Sequence, residues 1–142
     1  MLKLTNKVEY GMRALIRLYL NKYLTTRELA NIELIPAPFL ERIMIEFKNA
    51  GIVGGKRGPR GGYYLKKQPE DIKILDIIEI LEGKFNVVKC LDDESSCSFV
   101  SRCLMKGFWN KVNKQFYDFL LSTSLRDIIN EIEGNKKVKI KL

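Results

Sequence analysis

The sequence predicts a mainly α fold: a winged helix-turn-helix with a β-hairpin wing, followed by a long C-terminal dimerisation helix. Three observations predict it. A helix start at Thr25 and Glu28 is followed, after a break at residues 33–36, by an amphipathic stretch with Leu40, Ile43, Met44 and Phe47 on one face. A basic, glycine-rich segment, Lys56-Arg57-Gly58-Pro59-Arg60-Gly61-Gly62, lies between Ile52-Val53 and Tyr63-Tyr64-Leu65, the pattern of a hairpin. An aromatic-rich stripe, with Leu104, Phe108, Val112, Phe116, Phe119 and Leu120, marks a helix from Leu104 to Leu121.

Each element has its own signal. Asn6 is the expected cap of a first helix, with Glu9 three residues on, and Val8, Met12, Leu15, Ile16 and Tyr19 form its inward stripe. This helix should end near Asn21. Thr25 and Glu28 make a capping box for a second helix that stops around Ile32. Proline is tolerated in a first helical turn, so Pro38 can open the third helix, and Gly51 suits the residue just past its end. Ile74, Ile77, Ile78 and Leu81 mark a fourth helix, stopped by Gly83. Residues 84–103 show no helical period. Ser124 and Asp127 cap a last short helix expected through Ile132.

Four regions follow: a winged helix-turn-helix over 1–83, a cysteine-bearing loop over 84–103, a dimerisation helix with a short terminal helix over 104–133, and a basic mobile tail over 134–142. Eighteen residues of helix span about 27 Å. That is more than a winged domain of this size can cover, so the long helix is expected to pair two copies as a homodimer.

Charge separates the halves. The chain of 142 residues carries net +8; residues 1–67 hold 13 Lys and Arg against 5 Asp and Glu, and residues 68–142 hold 12 of each. A basic half joined to a neutral half is the footprint of a nucleic-acid binder with a second module. No apolar run reaches the roughly 18 residues that cross a bilayer, and no signal-peptide pattern opens the chain, so a cytoplasmic protein without membrane contact is expected. There is no histidine, nucleophile motif or phosphate loop, which argues against an enzyme.

The third helix should enter the major groove of double-stranded DNA, with Pro38, Glu41, Arg42 and Lys48 on its outer face. Arg42 can read guanine and Glu41 can accept from cytosine. Arg57 and Arg60 on the wing tip suit phosphates or a narrow minor groove. Lys7, Arg13 and Thr26 are candidate backbone contacts. A homodimer implies a pseudo-palindromic operator.

Three cysteines, Cys90, Cys97 and Cys103, are spaced Cys-x6-Cys-x5-Cys in an acidic, turn-rich stretch. Structural zinc sites contain a tighter pair, and the missing histidine excludes a mixed cysteine–histidine zinc site within one subunit. Thiolates hold iron–sulfur clusters, which take four ligands, so three cysteines leave one position open. Redox thiols closing a Cys97–Cys103 disulfide, zinc completed by a carboxylate or water, and inert cysteines remain as alternatives.

These residues resemble the Rrf-type winged-helix regulators, which include the IscR, NsrR and CymR groups. The resemblance is carried by Leu4-Thr5-Asn6-Lys7-Val8-Glu9-Tyr10, by Phe39-Leu40-Glu41-Arg42-Ile43 and by Arg57-Gly58-Pro59-Arg60-Gly61-Gly62-Tyr63. Asp76-Ile77-Ile78, Leu81-Glu82-Gly83, Cys90-Leu91-Asp92, Cys97, Cys103 and Trp109 continue it over nearly the whole chain. It implies a dimeric transcription factor, here a repressor. Cysteine-bearing members hold an iron–sulfur cluster, usually 2Fe–2S, whose state controls DNA binding in response to redox signals or nitric oxide. The chain departs from the family at Arg60, often glycine, and at Pro36, often a serine cap. The IscR-type histidine ligand, three residues after the last cysteine, is replaced by Lys106. Some NsrR-like members use a carboxylate at the position of Glu9, donated across the dimer. The expected ligand set is therefore Cys90, Cys97, Cys103 and Glu9. The alternative is a winged-helix repressor sensing through thiol oxidation or zinc, without a cluster.

Overall fold

Helix α1 (Asn6–Asn21) is the central strut of the computed structural model, which describes residues 4–140. Its buried face is Val8, Gly11, Ala14, Leu15 and Leu18. Gly11 allows a close crossing: a Cβ there would lie 2.7 Å from Leu81 and 2.9 Å from Phe47. The helix starts one residue earlier than expected. Thr5, not Asn6, is the cap, and its hydroxyl accepts from the Val8 amide at 3.4 Å. Both residue types cap helices, and local sequence does not choose between neighbours.

Strand β1 (Leu24–Thr25) has no counterpart in the sequence-based expectation. Two residues carry no alternation, so only pairing reveals it. It joins β2 (Val53–Gly55) and β3 (Gly62–Leu65) in an antiparallel sheet of order β1-β3-β2. Leu24 faces Tyr63, Thr25 faces Gly62, and Val53 faces Leu65. A Cβ on Gly62 would sit 2.3 Å from the Leu24 carbonyl oxygen, so this pairing needs glycine.

Helix α2 (Thr26–Glu33) has the predicted capping box: Glu28 N–H donates to Thr25 Oγ1 at 3.1 Å, and Thr25 N–H donates to Glu28 Oε2 at 2.8 Å. Helix α3 (Ala37–Asn49) follows with Pro38 in its first turn, as predicted. Its buried residues are the predicted Leu40, Ile43, Met44 and Phe47. Helix α4 (Ile74–Glu82) ends at Gly83, which takes φ 83, a conformation glycine adopts without strain.

Helices α1, α3 and α4 enclose one core, where Leu15, Leu18, Leu40, Ile43, Met44, Phe47 and Ile77 are fully buried. Burying a side chain of this size contributes roughly 1.5–3 kcal/mol. The core extends further along the chain than expected. Helix α6 (Leu125–Ile140) contributes Leu125 and Ile129 to it. Its start is fastened by Leu125 N–H donating to the Ile72 carbonyl at 2.8 Å and Ile74 N–H donating to Thr123 at 3.0 Å. Ser124 and Asp127 cap it as predicted, with Ser124 N–H donating to Asp127 at 2.8 Å.

The expectation of a short terminal helix is corrected: α6 continues past Ile132 to Ile140. Gly134 keeps a helical backbone and has open space around it. Glycine inside a helix costs about 1 kcal/mol but does not by itself end it. Residues 141 and 142 of the expected tail lie outside the described residues.

Helix α5 (Lys106–Ser122) is the long helix expected over Leu104–Leu121, but it begins two residues later, so Leu104 lies outside it, and none of its residues is buried. Phe108, Phe116, Tyr117, Phe119 and Leu121 are all exposed large apolar side chains on it.

Candidate nucleic-acid interface and cysteine segment

The wing is built by backbone bonds that leave its cations outside. Lys56 N–H donates to the Gly62 carbonyl at 2.9 Å, and Gly61 N–H donates to Gly58 at 2.8 Å. Gly58 takes φ 108, where a side chain would be strained. Tyr23 fastens the tip by donating its hydroxyl to the Arg60 carbonyl at 2.7 Å, with Lys56 Nζ 5.5 Å from the centre of its ring. Arg57 and Arg60 are exposed.

Between the wing, the start of α2 and the outer face of α3 lies a groove of about 470 Å³. It brings together four predicted contacts, Thr26, Glu41, Lys48 and Arg57. Pro38 and Arg42 are exposed on α3 outside the groove lining, and Arg60 lies beyond it on the wing. Leu40 is fully buried, as expected, and Phe39 also serves packing, meeting Tyr10 edge-on at 5.7 Å.

Reading the sequence missed Arg27, Lys56 and Tyr63, which also line the groove. A signal for Arg27 existed. A cation in the first turn of a helix opposes the helix dipole, and an external phosphate would relieve that repulsion. Glu41 is the lone acid among the described residues that line the groove. Burial raises the Tyr63 phenol above its ordinary pKa, and the Glu41 charge raises it further.

Two predicted backbone contacts are engaged elsewhere. Lys7 Nζ donates to the Leu81 carbonyl at 2.8 Å and pairs with Glu46 at 2.8 Å. Arg13 Nε donates to Glu33 at 3.1 Å, and Arg17 donates to the same carboxylate at 2.7 Å. The structure does not bring Lys7 or Arg13 to the groove. Position along a helix did not reveal these long-range partners.

The cysteines lie on the segment between α4 and α5, which folds as three 3₁₀ turns, Lys89–Leu91, Glu94–Ser96 and Val100–Arg102. Cys90 sits within the first, Cys97 follows the second and Cys103 follows the third. The segment's entry is anchored: Val87 is buried, and its N–H donates to Asn113 Oδ1 of α5 at 2.8 Å. Beyond that point the backbone bonds are local. Asp92 and Asp93 donate to the Lys89 carbonyl, Val100 to Cys97 and Arg102 to Phe99, all at 2.9–3.2 Å. Asp93 is held below the usual carboxylate range by the Ser95 hydroxyl and, second, by the Ser95 amide.

All three thiols are free and half-buried. Their chemistry fits iron or zinc, both of which take thiolate ligands. Among the described residues no three cysteine or carboxylate groups are gathered into one ligand set. The predicted trio is therefore on one segment but not converged, and Glu9 is exposed on the first turn of α1. Lys106, three residues past Cys103, pairs with Glu94 at 2.9 Å.

No helix among the described residues is long and apolar enough to cross a membrane. The family described as Rrf2, iron-dependent transcriptional regulator, matches residues 4–131. The NsrR transcriptional regulator of Bacillus licheniformis is 33% identical, over 96% of this chain and 99% of its own. The structure of T. potens IscR is 30% identical with a TM-score of 0.74, over 94% of this chain and 90% of that one. The structure of CymR, the global cysteine regulator of B. subtilis, is 30% identical with a TM-score of 0.73, over 92% and 98%. These relatives are transcriptional regulators rather than enzymes, and the winged helix-turn-helix expected from the sequence is the fold they share. The chain belongs to the Rrf2 family of DNA-binding transcriptional regulators.

Proposed function

We propose that this regulator is a homodimeric repressor whose operator binding is controlled by an iron–sulfur cluster. Cys90, Cys97 and Cys103 would hold the cluster, and Glu9 of the partner subunit would supply the fourth ligand. The observation that carries the reading is the cysteine segment itself: three free, half-buried thiols positioned by local turns rather than by the core. Such a segment can change shape while losing few long-range contacts. The family's description as iron-dependent and the likeness to IscR and NsrR support the same reading.

On DNA, α3 lies in the major groove with Glu41 and Arg42 toward base edges. Arg57 and Arg60 reach the flanking groove, and Thr26 and Lys48 meet phosphates. Dimerisation through α5 covers its exposed Phe108, Phe116 and Phe119, an apolar surface that a monomer rarely leaves open. A 2Fe–2S cluster, when bound, supplies a redox-sensitive and nitric-oxide-sensitive tether. The chain's part is to hold it by three thiolates and to place the weaker oxygen ligand on α1, the strut of the reading head.

The test is protein prepared under argon. Iron and sulfide near two per chain, a visible charge-transfer spectrum, and operator affinity that changes when the cluster is removed are the expected results. Zinc alone, or no metal, overturns the cluster. A Glu9→Ala protein with wild-type spectrum and cluster lifetime removes Glu9 from the ligand set.

A second reading is favoured by the free thiols of Cys97 and Cys103 and by the likeness to CymR. Here hydrogen peroxide takes two electrons and two protons from the thiols, forming a disulfide and two waters. Colourless protein whose operator affinity changes with peroxide and recovers with dithiothreitol identifies this mechanism.

A further inference from the structure

Lys7 holds two elements with one ammonium. Its Nζ donates to the Leu81 carbonyl at 2.8 Å and pairs with Glu46 Oε1 at 2.8 Å. Leu81 belongs to the last turn of α4, whose carbonyls lack partners within the helix. A cation there satisfies one of them and complements the negative end of the helix. Gly83 ends α4 two residues later, and the cysteine segment departs from it. Glu46 belongs to α3, the helix placed against the base edges. One lysine therefore touches both the root of the cysteine segment and the recognition helix.

The neighbourhood reinforces this link. Thr5, the cap of α1, bonds its hydroxyl to the Glu82 carboxylate, so the start of α1 is fastened to the same turn of α4. Glu9 lies two residues along α1 from Lys7. A hydrogen bond weakens steeply once its heavy atoms separate beyond about 3.5 Å. A small displacement of the last turn of α4 therefore breaks the Leu81 arm of the bridge, and Glu46 is left paired with an ammonium that α4 no longer holds in place.

We infer that Lys7 is a positioning residue that couples the state of the cysteine segment to the orientation of α3 within one protomer. The inference rests on the cluster-controlled reading above. Coupling of this kind is expressed as a ratio of operator affinities between two states and commonly lies between about 5- and 150-fold. Lys7 needs no contact with DNA or with the cluster to set it.

The experiment compares cluster-loaded and cluster-free protein, prepared without oxygen, in operator-binding titrations at fixed salt. Wild-type protein is expected to show a ratio of about tenfold or more. Lys7→Met should narrow it to within about twofold, with iron content and visible spectrum unchanged, and Lys7→Arg should restore part of it. Glu46→Gln should narrow it equally, and the Lys7→Met/Glu46→Gln double variant should go no further, the mark of one shared interaction. Backbone amides of the last turn of α4 should exchange hydrogen faster in cluster-free Lys7→Met than in cluster-free wild type.

A Lys7→Met protein with the full wild-type ratio, or with unchanged exchange at α4, overturns the coupling and leaves the cluster reading standing. A wild-type protein without iron, or with equal operator affinity in both states, overturns the cluster reading and the coupling together. Should Lys7→Met fail to fold, Glu46→Gln tests the coupling by the operator-affinity ratio: a ratio narrowed to within about twofold supports it, and the full wild-type ratio overturns it.

Discussion

Arg17 Nε donates to Glu33 Oε1 at 2.7 Å, tying the middle of α1 to the last residue of α2. Arg13 takes the other carboxylate oxygen at 3.1 Å and also bonds the Glu33 carbonyl. Glu33 is buried, whereas the two arginine side chains are 42% and 36% exposed. Solvent screens the cations but not the acid. Glu33→Ala removes the shared anchor and should cost about 1–3 kcal/mol, below the loss for a fully buried pair. Urea denaturation should show a lower midpoint with an unchanged slope. A change within about 0.3 kcal/mol would mean that the helices are held by apolar packing alone.

Gly62→Ala and Gly134→Ala should act in opposite directions. At Gly62 the new methyl meets the Leu24 carbonyl at 2.3 Å, backbone against backbone, so β1 must separate from β3. We expect a loss of about 1–3 kcal/mol and weaker operator binding as the wing loses its footing. At Gly134 nothing lies within 4 Å and the backbone is helical. Alanine there should stabilise by about 0.5–1 kcal/mol. Thermal unfolding of the two variants checks both signs.

Acid should weaken the start of α6. The Asp127 carboxyl is held below its ordinary value of 3.8, first by the Ser124 amide, then by the Ser124 hydroxyl and the Lys73 charge. A depressed folded-state pKa contributes stability that is fully present above the unfolded value. It is lost as pH falls through the folded value. The gap in denaturation midpoint between wild type and Asp127→Asn should therefore hold steady from pH 7 to about 5 and close below about 3.8. A gap that persists unchanged at pH 3 would assign the cap to geometry rather than charge.

The wing and the start of α2 should share the DNA backbone. Arg57→Ala should weaken operator binding by about 1–3 kcal/mol if it reaches base edges or a narrow groove. Arg27→Ala should weaken binding to all sequences alike and reduce the slope of log affinity against log salt by about one, the sign of a phosphate contact. Titrations at several salt concentrations separate the two roles.

The proposed dimerisation through α5 gives a further expectation. Phe119 is 64% exposed, and Phe108 is 52% exposed. Placing a charge on this face, as in Phe119→Asp, should convert a dimer to a monomer at micromolar concentration. Far-ultraviolet circular dichroism should stay unchanged, because most of the side chain is exposed. Sedimentation showing the wild-type chain to be monomeric would leave that face without an assigned role.

Most of the fold was legible in local chemistry. The capping boxes at Thr25–Glu28 and Ser124–Asp127, the stripe of α3 and the stop at Gly83 each depend on residues within a turn or two of one another. The same locality explains the differences. Thr5 and Asn6 are both competent caps, and the choice of Thr5 leaves its hydroxyl to bond Glu82, 77 residues away. Strand β1 exists only because β3 lies beside it. The sequence places the end of the last helix at Ile132 and a tail from Gly134, yet the Gly134 backbone keeps helical angles and α6 runs through it.

The candidate site divides the same way. Cys90, Cys97 and Cys103 announce themselves by element type, and the wing arginines by the glycines around them, since thiol chemistry and backbone freedom belong to the residues wherever they sit. The partners of Lys7, Arg13 and Arg17 do not. A lysine on the surface of an isolated helix is free to reach a phosphate, and only the packing of α1 against α3 and α4 delivers a carbonyl and a carboxylate to its ammonium. Charge is a property of sequence, but the destination of a charge is set by which other groups the fold brings within about 3 Å.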